Sequence, residues 1–206
     1  IGSGGTFLVP SPIAHIGGSI YAFECPILLG TTAVLMARWN PDAAVGLLVA
    51  EHCTHMAGAT PFLEQILAAA ERAQTRLPDL EVFICGGASV PPSLIRSAAG
   101  YFDHATVTRV YGSTEVPVTT VGAPEPGDLR HAAETDGRAG IATIKVVNGE
   151  IRARGPQMFL GYSHTEDDAD DAGKTAEEAE GARGARTAGG LGGGRRAGRR
   201  SGGKGV

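Results

Sequence analysis

The sequence predicts an α/β fold: a layered, mostly parallel sheet with flanking helices, followed by an incomplete β-rich part and a disordered tail. Three observations carry this expectation. From Thr6 to Tyr111, short apolar runs bounded by turn residues alternate with helix-like segments, and repeated strand, helix, strand units favour parallel pairing through helical crossovers. From Ala123 the pattern gives way to prolines, glycines and a hairpin signal. Beyond Tyr162, large apolar residues almost vanish.

The elements follow in order. Residues 6–9 form a strand between Gly5 and Pro10, and a buried helix-like segment runs on to Leu29. A strand is expected over 32–36, then a helix opened by Asn40-Pro41-Asp42, which supplies a cap and a first-turn proline. Residues 54–58 read as a short strand, and 61–72 as a helix with Phe62, Ile66 and Leu67 on one face. A strand over 82–85, a helix over 92–101 and strands over 106–111 and 116–121 complete the alternation. Pro124, Pro126 and Gly127 make a linker, after which 142–147 and 150–154 form a hairpin around Asn148-Gly149. The expected organisation is a sheet subdomain over 1–122, an incomplete β-rich subdomain over 123–165 and a tail over 166–206.

The chain has 206 residues, 42% hydrophobic and 19% charged, a balance that supports a buried core. Its three cysteines, Cys25, Cys53 and Cys85, are odd in number and lack CxxC spacing, which argues against a disulfide framework or a zinc knuckle. A reduced, cytoplasmic setting is expected. The apolar stretch 13–29 is interrupted by His15, Gly17, Gly18, Glu24 and Pro26, so neither secretion nor a membrane span is expected. The net charge of -4 divides unevenly. Through Ala172 there are 19 acidic residues against 10 basic, and from Gly173 there are 3 against 8.

Two loops carry the functional signal. Gly86-Gly87-Ala88-Ser89 closes the strand over 82–85, and Tyr111-Gly112-Ser113-Thr114-Glu115 closes the strand over 106–111. In an open parallel sheet, loops at the C-terminal strand ends line the ligand crevice. The glycine pair lets backbone approach a flat ligand closely or take positive φ. Tyr111 offers a stacking face, Thr114 a hydroxyl for a phosphate oxygen, and Glu115 a hard carboxylate suited to magnesium. Taken singly, each has a plainer explanation as a turn, a core aromatic or a solvated charge; their joint order is what points to a nucleotide site.

That order resembles the adenylate-forming superfamily of acyl-CoA synthetases, luciferases and peptide-synthetase adenylation domains. The segment Pro10-Ser11-Pro12-Ile13-Ala14-His15 resembles the part of that family that borders the acyl pocket, and Gly137-Arg138 and the run from Gly149 to Tyr162 resemble its downstream signatures. The resemblance spans residues 6–168 and implies part of that family's large N-terminal domain. It implies ATP-dependent activation of a small carboxylic acid as an acyl adenylate, followed by transfer to CoA, with magnesium required. It further implies that Tyr111 stacks on adenine, that Gly86, Gly87 and Ala88 shape the adenine and acyl wall, and that Thr114 contacts the α-phosphate. The same resemblance implies that Gly112 and Ser113 complete the nucleotide-binding loop and that Glu115 holds magnesium. His15 would orient or gate the acid, although a histidine at a strand-to-helix turn equally suits a structural role. Ile16, Gly17, Tyr21 and Val116 are small or apolar pocket candidates for a fatty or cyclic acid, or ordinary core residues.

Several family features are missing. The Ser/Thr/Gly-rich triphosphate loop with its lysine is absent, and Gly2 to Gly5 precedes a strand where a phosphate loop would follow one. The ribose-binding aspartate motif expected after Tyr162 and the catalytic lysine of a C-terminal domain are also absent. The last 34 residues hold 12 Gly, 6 Ala and 6 Arg, a composition that cannot repay its ordering entropy and that a reading-frame shift produces in GC-rich coding sequence. The expectation is a truncated or frameshifted fragment, not competent alone. Two other classes stand beside it: a noncatalytic interaction module, and a nonspecific nucleic-acid-binding tail through Arg195, Arg196, Arg199, Arg200 and Lys204. No aromatic residue lies beyond Tyr162 to stack on bases, so specific nucleic-acid recognition is not expected. The sequence does not specify an oligomeric state.

Overall fold

The computed structural model describes residues 1–122 and 127–161. Five parallel strands, β1 (Thr6–Val9), β2 (Thr32–Leu35), β3 (His55–Gly58), β4 (Val82–Gly86) and β5 (Thr106–Tyr111), form the body of a seven-stranded sheet. Their spatial order is β2-β1-β3-β4-β5, so the sheet grows outward from β1 in both directions. Two short strands, β6 (Thr120–Val121) and β7 (Arg138–Ala139), extend it antiparallel beyond β5.

Each crossover is helical. α3 (Pro41–Ala50) starts where Asn40 Oδ1 accepts the Ala43 N–H at 2.8 Å, with Pro41 pre-set in the first turn. α4 (Thr60–Arg72) buries Leu63, Ile66, Ala69 and Ala70. Phe62 and Leu67 lie at the margin of that stripe, so the buried face is rotated toward Leu63 from the expected one. α5 (Pro92–Tyr101) buries Ile95 and Ala98.

Strand alternation divides the core. The in-register residues Leu8, Met56, Phe83 and Val107 face one side, where they pack with Leu48, Leu63, Ile66 and Ile95 of the three helices. Each such fully buried side chain contributes roughly 1.5–3 kcal/mol by leaving water. On the other side, Phe7 and Val9 are covered by a smaller layer containing Ile20, Tyr21 and Cys25. This layer runs from α1 (Ile16–Ser19) through a π-helical turn, Ile20–Glu24, into α2 (Cys25–Leu29), which ends at Gly30 in the left-handed region. Short π-helical turns inside helices are frequent at functional sites.

The structure corrects the sequence reading at one strand. Residues 116–119 are a turn, and only Thr120 and Val121 of the expected strand pair with a neighbour. The Ser113 N–H donates to the Val116 carbonyl at 3.2 Å, and the Val116 N–H returns a bond to Ser113 Oγ at 3.2 Å. Thr119 Oγ1 also donates to the Val116 carbonyl, at 2.7 Å, so side-chain hydroxyls replace ladder bonds.

After the Pro/Gly-rich segment, α6 (Leu129–Glu134) and β7 join the first sheet. Asp128 caps α6 by accepting the His131 N–H, and Ala132 and Ala133 enter the main core. The hairpin forms as the Asn-Gly signal predicts: β8 (Thr143–Val147) and β9 (Glu150–Arg154) pair antiparallel, with Asn148 at φ 53° and Gly149 at φ 81°. The acidic run, Tyr162 and the Gly/Ala/Arg-rich tail expected to be disordered lie outside the described residues. All three cysteines are buried and free, and burial pushes the Cys53 and Cys85 thiols up to about 11. Among the described residues, no helix is long and apolar enough to cross a membrane.

Candidate functional site

The C-terminal ends of β3, β4 and β5 converge with the turn after β1 on a cavity of about 530 Å³. That volume lies within the roughly 300–1,000 Å³ of small-molecule sites. Each strand contributes its last residues for the same reason: parallel strands end on the same edge, and the chain there must turn away to enter a crossover helix.

The β4 loop is shaped by space. A Cβ on Gly86 would stand 2.4 Å from the Val110 carbonyl oxygen, and Gly87 has φ 79°, so the loop combines a close inter-strand approach with left-handed backbone. Two polar side chains hold the loop from below. Thr60 Oγ1 donates to the Ser89 carbonyl at 2.9 Å, and Arg109 Nη2 donates to the Val90 carbonyl. Arg109 comes from β5, its side chain only 10% exposed, and its Nη1 is 3.5 Å from Asp136 Oδ1. Arg109 therefore joins the glycine loop to the segment between α6 and β7. Replacing Arg109 with Met leaves the Val90 carbonyl unpaired; the expected loss is about 2 kcal/mol, read as a lowered denaturant midpoint.

His15 is exposed at the start of α1, where its Nδ1 accepts the Gly17 N–H at 3.1 Å. With Nδ1 an acceptor, the neutral ring carries its proton on Nε2. Tyr21 enters from the π-helical turn and stacks on Phe7 at 5.0 Å between ring centroids; Phe7 stacks in turn on His55 at 4.7 Å. Burial raises the Tyr21 hydroxyl above its ordinary value, with Cys25 adding to the effect, so the group stays neutral. Glu115 lies on the cavity wall, and its carbonyl accepts the Phe159 N–H at 2.9 Å, which ties the loop to the chain beyond the hairpin.

The cavity brings together His15, Gly86, Gly87, Gly112, Ser113, Thr114 and Glu115 of the expected site. Ile16, Gly17 and Tyr21 also line it. Tyr111, half-buried where β5 pairs with β6, and Ala88, exposed on the glycine loop, are outside its lining, and Val116 is buried beneath the turn. Sequence reasoning missed Ile20, Ala57, Gly58, Phe62, Ile84 and Val110. Ala57-Gly58-Ala59, a small-residue run closing an apolar strand, was a signal of the same kind as the glycine loop.

Among the described residues no three His, Cys, Asp or Glu side chains cluster as a metal site. One carboxylate beside one hydroxyl, Glu115 next to Thr114, nevertheless suits magnesium, which is commonly held by one or two carboxylates together with substrate phosphates.

The family model described as AMP-binding enzyme matches residues 2–163. The medium-chain fatty-acid–CoA ligase of Escherichia coli (strain K12) is 35% identical over 169 residues, covering 76% of this chain and 29% of the ligase. A 3-[(3aS,4S,7aS)-7a-methyl-1,5-dioxo-octahydro-1H-inden-4-yl]propanoyl:CoA ligase of Rhodococcus jostii (strain RHA1) is 30% identical over 158 residues, covering 76% of this chain and 30% of that protein. The chain thus spans about three tenths of the length of these curated relatives. In fold, it is similar to the N-terminal domain of FACL13 from Mycobacterium tuberculosis, with TM-score 0.69, 22% identity and coverage of 84% of this chain and 46% of that one. It is also similar to the O-succinylbenzoate coenzyme A synthetase of Bacillus subtilis solved with ATP and magnesium, with TM-score 0.68, 21% identity and coverage of 84% and 37%.

Proposed function

Because the chain belongs to the AMP-binding enzyme family, we propose that it carries the acid- and adenylate-facing part of an ATP-dependent acid–thiol ligase. In this reaction a carboxylate oxygen attacks the α-phosphate of ATP and pyrophosphate leaves; the CoA thiol, losing its proton, then attacks the acyl carbon of the adenylate, the acyl–phosphate bond breaks, and AMP leaves. The observation that carries the reading is the cavity in which the Gly86-Gly87 loop, the Gly112 to Glu115 loop and His15 meet.

The residues divide the work by position. Thr114 donates a hydroxyl hydrogen bond to the α-phosphate, Gly86 and Gly87 form the wall beside adenine, and Tyr111 and Ala88, just outside the cavity lining, meet the base at its margin. His15 orients the acid carboxylate, its ring fixed by the Gly17 N–H. Ile16, Gly17, Tyr21, Ile84 and Val110 surround the acyl group with apolar surface. Glu115 would hold magnesium, which when bound supplies neutralisation of phosphate charge. Catalysis on this reading is positioning and charge compensation rather than covalent chemistry by the protein.

Calorimetric titration with ATP and magnesium, alongside ATP–pyrophosphate exchange with a panel of carboxylic acids, tests the proposal. The expected result is ATP binding that requires magnesium and tightens when a carboxylic acid is present. A chain that binds neither ATP nor any acid overturns it.

A further inference from the structure

Phe62 stands at the first turn of α4, on the cavity wall, although its sequence position reads as an ordinary core residue of that helix. Its ring lies against the end of β3, since a Cβ on Gly58 would be 2.9 Å from Phe62 Cβ and 3.1 Å from Cγ. Behind it, and outside the lining of the cavity, Trp39 meets the ring edge-on, with centroids 4.5 Å apart and an interplanar angle of 76°. Trp39 is itself fixed by its indole N–H, which donates to Gln65 Oε1 at 2.7 Å, one turn along α4 from Phe62. Backbone on one side and an anchored aromatic on the other leave the ring little freedom to swing aside.

Resting on the ligase reading above, we propose that Phe62, with Trp39 as its positioning residue, sets the upper limit on the acyl length of the acid this cavity accepts. The acids taken are compact and apolar, and the space beside Trp39 is closed to them by one ring. Removing that ring joins the cavity to the apolar edge of Trp39 and admits further carbons.

Straight-chain saturated carboxylic acids of increasing length, titrated calorimetrically into the wild-type chain and into Phe62→Ala and Phe62→Leu, decide the matter. In the wild type, affinity rises by about fourfold per buried methylene up to a limiting length and then stops rising. In Phe62→Ala the rise continues past that length, giving at least about a fourfold gain over wild type for the first longer acid. Phe62→Leu shows a smaller extension in the same direction and decides the question if the alanine variant fails to fold. The same limiting length in wild type and in the folded variants overturns the proposal, as does a wild-type chain that binds no acid. Acid binding with a displaced limit, in a chain that neither binds ATP nor catalyses exchange, upholds this inference and counts against the adenylation reading alone.

Discussion

Glu115→Gln is expected to remove most of the magnesium-dependent gain in ATP affinity that the proposed ligase site implies. The substitution keeps the shape of the side chain and removes its charge, and a neutral amide is a poor ligand for a hard divalent cation. Among the described residues that line the cavity, Glu115 is the only carboxylate. Titration of ATP with and without magnesium should show the metal-dependent gain fall by at least about tenfold, equivalent to about 1.4 kcal/mol. Thermal unfolding without ligand provides the control. It establishes that both proteins are folded at the temperature of the titration; the Phe159 N–H bond to the Glu115 backbone carbonyl is kept by the substitution. If magnesium stimulates binding equally in both proteins, Glu115 is not the metal ligand.

Gly86→Ala damages both the site and the fold. The new Cβ would lie 2.4 Å from the Val110 carbonyl oxygen and 2.5 Å from Val110 Cγ1, and backbone cannot retreat as a flexible side-chain end can. Gly86 and Val110 are the last in-register pair between β4 and β5, so relief requires the two strands to part at the cavity edge. The expected cost is about 3 kcal/mol, at the upper end for overpacking. A domain stable by roughly 5–15 kcal/mol would lose a large share of that margin. The same movement displaces the glycine loop from the Gly112 to Glu115 loop, so ATP binding should weaken in the fraction that remains folded. Denaturant unfolding gives the first quantity and calorimetry the second; an unchanged unfolding midpoint would refute the packing argument. Gly87→Ala makes a useful contrast, because no atom lies within 4 Å of its added Cβ and only the φ of 79° is strained.

The parallel sheet was legible because its signals are local. Apolar strands at residues 6–9, 32–35, 55–58, 82–86 and 106–111 are punctuated by turn residues, and the intervening helices begin with caps or prolines. The two functional loops were legible for the same reason, since each follows its strand directly. The 116–119 turn was not, because Val116 and Val118 have strand propensity while the competing bonds from Ser113 and Thr119 depend on geometry. α6 and β7 escaped notice because a six-residue helix and a two-residue strand present too few periods to register.

The sequence by itself determined the strand and helix alternation, the hairpin at Asn148-Gly149, and the loops that identify the family. Only the tertiary structure decided how the strands are ordered, and with it which residues share the cavity. β3 lies between β1 and β4, so Gly58 and Phe62 reach the same space as His15 and Gly86 despite wide separations along the chain. Arg109 lies on β5, and only the fold brings it beneath the glycine loop. Periodicity records which face of an element is buried. It carries no record of the neighbour against which that face is buried, because strand pairing is set by contacts between distant parts of the chain.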